Sequence, residues 1–146
     1  MADEFPKAPK DFFDFAKKHQ AEMVDLKFVD MLGSWQHCSF PIDHLNEGTF
    51  EEGLGFDGSS IRGWMGIHES DMMAVPVAST ARLDPFFARP TISVLANVVD
   101  PITRQPFTRD PRHVAGKAEQ FLNGGLPDPA DNDLLMRQLR LGMPIR

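Results

Sequence analysis

Residues 23–42 read MVDLKFVDMLGSWQHCSFPI, and the fold follows from how they divide. Val24, Leu26 and Phe28 alternate with the polar Asp25, Lys27 and Asp30, which is the period of a half-buried strand. Gly33-Ser34 supplies a turn, and Trp35 to Ile42 return as the second strand of a hairpin. Pro41 has no amide proton to give to a sheet, so this strand ends there or lies at an edge. Upstream, Asp11 caps a helix over roughly 12–22, with Phe12, Phe13, Ala16 and Met23 on one side and Lys17, Lys18 and Glu22 elsewhere. Residues 1–10 form a flexible leader in which Pro6 and Pro9 block regular structure.

Downstream, residues 43–52 make a short helical turn that leads into a glycine-rich loop. Met72 to Val77 and Ala81 to Leu83 are short strands joined by Ala78-Ser79-Thr80, and DPFFARP is a connection. Thr91 to Val99 is apolar, β-branched and uninterrupted, as a central strand is. Asp110 caps a second helix with Pro111 at its first position, and Val114, Ala118, Phe121 and Leu122 recur on one face. The order helix, hairpin, loop, strands, helix predicts an α+β domain: a small mixed or antiparallel sheet with helices packed on one face. Residues 123–146 open with the breaker-rich NGGLPDPADND and end in a short basic stretch with no partner element, so this tail is expected to be poorly ordered.

A chain of 146 residues with 42% apolar and 25% charged residues suits one globular domain with a tail. The net charge of −6 argues against a nucleic-acid partner. The single cysteine, Cys38, forms no intrachain disulfide and fits a reducing, cytoplasmic setting. The opening MADEFPKAPK has no apolar core of a signal peptide, and the apolar run around Ile92 to Val99 is too short to cross a bilayer, so no membrane is expected as a partner.

The stretch GLGFDGSSIRGW, residues 53–64, carries the chemistry. Gly53, Gly55 and Gly58 spell G-x-G-x-x-G, but the segment neither follows a predicted strand nor opens an amphipathic helix, so the dinucleotide reading fails. No Gly-Lys-Ser/Thr phosphate loop occurs. Two readings stay open on residue types alone. One is a plain glycine-rich connection anchored by a buried Trp64. The other is a tight backbone that holds Asp57, Ser59 and Ser60 outward, the carboxylate to bind a cation or take a proton and a hydroxyl to orient the same ligand. No two histidines among 19, 37, 44, 68 and 113 have ligand spacing and no cysteine pair exists, so no metal site made by this chain alone is expected. His68-Glu69-Ser70-Asp71 reads first as a capped turn before a strand. Ser59 and Ser60 lack a nucleophile elbow, and Cys38 reads as a buried strand residue.

Taken together, MVDLKFVDMLGSWQHCSFPI, EEGLGFDGSSIRGW, ESDMM, DPFFARPT and RDPRHVAGKAEQFL resemble the amino-terminal domain of bacterial type I glutamine synthetase over about residues 11–122. His68 departs from the asparagine expected at that turn. The resemblance implies a β-grasp sheet and an enzyme that joins ammonia to glutamate with ATP and Mg or Mn, built as rings of subunits. It implies that this domain's partner is the catalytic domain of a neighbouring subunit, to whose active site it lends the FDGSS loop. By position, Asp57 matches the aspartate that binds ammonium and helps remove its proton, and Ser60 matches the serine beside it. Trp64 and Asp71 match residues that shape the same region. The family's metal, nucleotide and glutamate ligands lie beyond Leu122, where this sequence departs from the family. The chain is therefore expected to hold no cofactor and to be inactive by itself. Two alternatives remain: a stand-alone β-grasp interaction module, and a regulatory fragment that joins full-length rings.

Overall fold

The computed structural model describes residues 5–66 and 70–124. The expectations for residues 1–4, for His68 and Glu69, and for the tail from 125 onward lie outside the described residues. The chain divides into two compact units, Met1–His113 and Val114–Arg146. The first unit runs α1 (Pro9–Lys18), β1 (Met23–Val29), β2 (Trp35–Pro41), α2 (Thr49–Glu52), β3 (Leu54–Asp57), β4 (Asp71–Pro76), β5 (Arg82–Asp84) and β6 (Thr91–Val99). The last helix, α3 (Pro111–Gly124), starts in the first unit and contributes its residues from Val114 to the second.

One sheet of six strands has the order β2-β1-β6-β4-β3, with β5 pairing the first part of β6. β1 and β6 are parallel and the other pairs antiparallel, so the sheet is mixed. β6 is central, as its unbroken apolar run requires, and β2 is an edge that ends on Pro41. The hairpin turn is set by Asp30, whose Oδ1 accepts the amides of Leu32 and Ser34 at 2.9 Å. The Ser34 amide is the first cause of that carboxyl's lowered pKa.

Helix α1 begins three residues earlier than the sequence suggests. Pro9 occupies its first position, where a missing N–H costs nothing, and so does not break structure. Asp11 is not the cap but sits one turn in, where its Oδ2 accepts the amides of Lys7 and Ala8 at 3.1 Å. Phe12, Phe15 and Ala16 bury against Val24 and Leu26 of β1, Ile92, Val94 and Ala96 of β6, and Phe50 of α2. A second cluster lies farther along the sheet: Phe28, Ile61, Trp64, Met72 and Val98, with Phe56 and Phe107 packed on it.

The sheet's polar positions are less exposed than their alternation implies. Asp25 has no exposed surface, and its Oδ1 accepts Ser39 Oγ at 2.6 Å and lies 2.7 Å from His37 Nδ1. Lys27 joins the network through Asp84 at 2.9 Å, and Asp84 also accepts Ser93 Oγ at 2.6 Å. Cys38 is half-buried, and burial raises its thiol pKa.

Candidate functional site

The strand registers bring the chemistry to one end of the sheet. Val29 ends β1, Val99 pairs with Met73 near the start of β4, and Asp57 at the end of β3 pairs with Asp71. The hairpin turn 30–34, the segment 58–66 and the connection 100–110 therefore share that end.

The glycine-rich segment is not one loop. Leu54–Asp57 is a strand, because Gly55 leaves β3 able to pair with β4 while Leu54 and Phe56 pack inward. Gly53 takes φ 81°, and a Cβ there would come 2.9 Å from the Ala74 carbonyl oxygen, so only glycine fits. Gly58 is needed for a different reason: its φ is not left-handed, but a Cβ would lie 2.6 Å from Met72 Cγ.

Asp57 ends the strand and stays exposed. Its Oδ1 accepts both the Ser59 amide at 2.8 Å and the Ser59 hydroxyl at 2.7 Å. The chain then makes a single 3-10 turn over Gly58–Ser60, with the Gly58 amide donating to the Ser70 carbonyl at 2.6 Å. The Ser59 hydroxyl, then its amide, hold the Asp57 carboxyl below the usual range, with smaller help from Ser70 and Ser60. Asp57 is thus a fixed, solvent-facing anion. Ser60 is exposed beside it, and Asp71 is exposed on the paired strand.

Trp64 stands apart from these three. It is 1% exposed and packs on Phe28 at 5.4 Å and Phe107 at 5.0 Å between ring centroids, so it supports the segment from below. Ser59, the residue that clasps Asp57, is read from the sequence alongside Asp57 and Ser60, but the family resemblance singles out Ser60 alone. The signal for its clasp is the Asp-x-Ser spacing of a side-chain-to-backbone turn. Among the described residues, no three His, Cys, Asp or Glu side chains group so as to hold a metal ion. Among the same residues, no helix is long and apolar enough to cross a membrane.

A family model described as glutamine synthetase, beta-Grasp domain matches residues 20–101, more than half of the chain. The chain belongs to the glutamine synthetase family. This amino-terminal synthetase domain is 46% identical over 125 residues to the glutamine synthetase of Mycobacterium bovis, covering 85% of this chain and 26% of that protein. It is 43% identical over 134 residues to the Salmonella typhimurium glutamine synthetase, covering 88% of this chain and 29% of that one. The fold matches Plasmodium falciparum glutamine synthetase, solved by electron cryomicroscopy, with a TM-score of 0.75 at 20% identity over 86% of this chain and 24% of that one. The chain spans about a quarter of the length of the curated relatives it matches.

Proposed function

We propose that residues 11–122 form the domain that lends an ammonium-binding loop to a glutamine synthetase active site completed by a neighbouring subunit. Asp57 carries the reading. It is an exposed carboxylate, ionised and aimed by Ser59, at the end of a strand that cannot shift without breaking its pairing with β4. Such a group attracts a cation and orients it. Ammonium has no lone pair to attack a γ-glutamyl phosphate until a proton leaves, and Asp57 is the acceptor. With its pKa lowered, it stays an anion that draws the cation in, and a proton must pass to it before the nitrogen's lone pair is free to attack. Ser60 adds a hydroxyl oxygen to the cation's shell, and Asp71 adds a second negative charge nearby.

The partner is the catalytic domain of an adjacent subunit in a ring of like subunits, in the cytoplasm. The sheet end that carries Asp57 also carries Met31, Leu32 and Trp35, exposed at 54%, 72% and 61%, as a surface made to be covered is. ATP and Mg or Mn belong to the whole enzyme's reaction. The part we assign to this domain is the nucleophile. The 146-residue polypeptide by itself is expected to form no glutamine from ATP, glutamate and ammonia.

The test is a hybrid in which residues 1–122 replace the matching segment of a complete synthetase. Asp57→Ala should cut kcat/KM for ammonia by about 10²–10⁴-fold while leaving the KM for ATP near its starting value. Unchanged ammonia kinetics would remove the reading.

A further inference from the structure

The connection between β6 and α3 grips the segment that bears Asp57 at both of its ends. Arg104 donates from Nη1 to the Glu52 carbonyl at 2.8 Å and from Nη2 to the Glu51 carbonyl, the last carbonyls of α2 before Gly53. Arg109 donates from Nη1 to the Gly63 carbonyl at 3.1 Å and to the Trp64 carbonyl at 2.9 Å, at the far end. Between them Phe107 packs its ring on Trp64. None of these contacts is local in sequence: the hydrogen bonds span 45 to 53 residues.

The grip is itself braced. Asp100 Oδ1 accepts the amides of Ile102 at 2.9 Å and Thr103 at 2.6 Å, and the Arg104 amide donates to the Asp100 carbonyl at 3.0 Å. Arg104 takes φ 59°, a left-handed conformation unusual for a side-chain-bearing residue and held here by that turn. At the other end Asp110 is 1% exposed, and its two oxygens accept the amides of Val98 and Arg112. Two arginines thus reach out from a fixed strap to four carbonyls that bracket residues 53–62. Planar guanidinium groups suit this, because each offers several donors in a rigid fork.

We propose that Arg104 and Arg109 are positioning residues that set the place of Asp57 through the backbone of the segment between them. The inference rests on the ammonium reading for its consequence in catalysis, but not for the bracket itself. A carboxylate displaced by about 1 Å loses up to 10²-fold in rate while the fold persists.

The bracket is tested on the 146-residue chain with Trp35→Phe in place, which leaves Trp64 as its one tryptophan. Arg109→Met should make Trp64 fluorescence more accessible to acrylamide, and Arg109→Lys should restore part of the protection. Equal quenching in parent and Arg109→Met overturns the bracket. In the hybrid synthetase, Arg109→Met and Arg104→Met should each lower kcat/KM for ammonia about 10-fold or more, with the KM for glutamate and ATP unchanged and partial rescue by lysine. If Asp57→Ala lowers ammonia use and the arginine variants do not, positioning by the arginines is refuted. If Asp57→Ala itself has no effect, the ammonium reading falls and the quenching result alone decides the bracket. Should Arg109→Met fail to fold, Arg104→Met and Arg109→Lys carry the same comparison.

Discussion

Asp25 and Asp57 are both aspartates on strands of one sheet, and they are held in opposite ways. Asp25 has no exposed surface and meets side chains from the neighbouring strand, His37 and Ser39, with Lys27 at 3.7 Å on its other oxygen. Asp57 is exposed, and both of its short bonds come from Ser59 two residues away, onto one oxygen. A buried carboxylate whose partners lie across the sheet is spent on register and burial. A carboxylate steadied from its own turn keeps capacity for a ligand. On the proposed reading the same ion type serves structure at one place and chemistry at the other, and the direction from which its donors come separates the two.

The contrast can be broken from either side. The largest stability effect is expected at the base of the Asp57 turn. Gly58→Val drives a side chain into Met72 and the Ser70 carbonyl, and overpacking of this kind costs about 1–3 kcal/mol. Urea unfolding should show it, and a midpoint equal to the parent's would mean that the turn is loosely packed. Asp25→Ala comes next. It leaves the Ser39 hydroxyl without its acceptor, a loss of about 1–2 kcal/mol, moderated because His37 is half exposed to water and Lys27 keeps Asp84 at 2.9 Å. Asp57→Ala in the same assay should change stability by no more than about 0.5 kcal/mol, as exposed loop polar groups do. If the two alanine variants are equally destabilised, the division between structural and chemical aspartates is lost.

Asp84 is read instead through the acid dependence of stability. The Ser93 hydroxyl first, then Lys27, lower its carboxyl from an ordinary 3.8 to about 2. Between those values the unfolded chain binds more protons than the folded one, so Asp84's contribution is full above pH 3.8 and is lost as the pH falls toward about 2. Asp84→Asn should flatten the fall of stability across that window. An unaltered pH profile would show that the network does not hold the charge.

Much of this was legible in the sequence, for identifiable reasons. The hairpin and β6 follow from alternation and from a β-branched run, which are local properties. Trp64 could be called buried because its neighbours are small and turn-forming. The start of α1 is hidden because proline breaks a helix interior but is neutral at the first helical position. The strand over 54–57 is hidden because glycines mask the alternation of Leu54 and Phe56. The burial of Asp25 depends on what lies across the strand, and the grip of Arg104 and Arg109 on contacts roughly fifty residues apart. No local pattern carries such information. At the site, resemblance selected Asp57 and Ser60, and only the geometry shows that Ser59 does the aiming.

The central claim is that Asp57 acts through its negative charge on a cationic nucleophile. In the hybrid synthetase, Asp57→Asn keeps the shape and removes the charge. Its kcat/KM should be compared for ammonia, which is ammonium at neutral pH, and for hydroxylamine, which is largely uncharged there. The account predicts a loss of about 10²-fold or more with ammonia and a much smaller loss with hydroxylamine. Equal losses with both nucleophiles, or no loss with either, would contradict it.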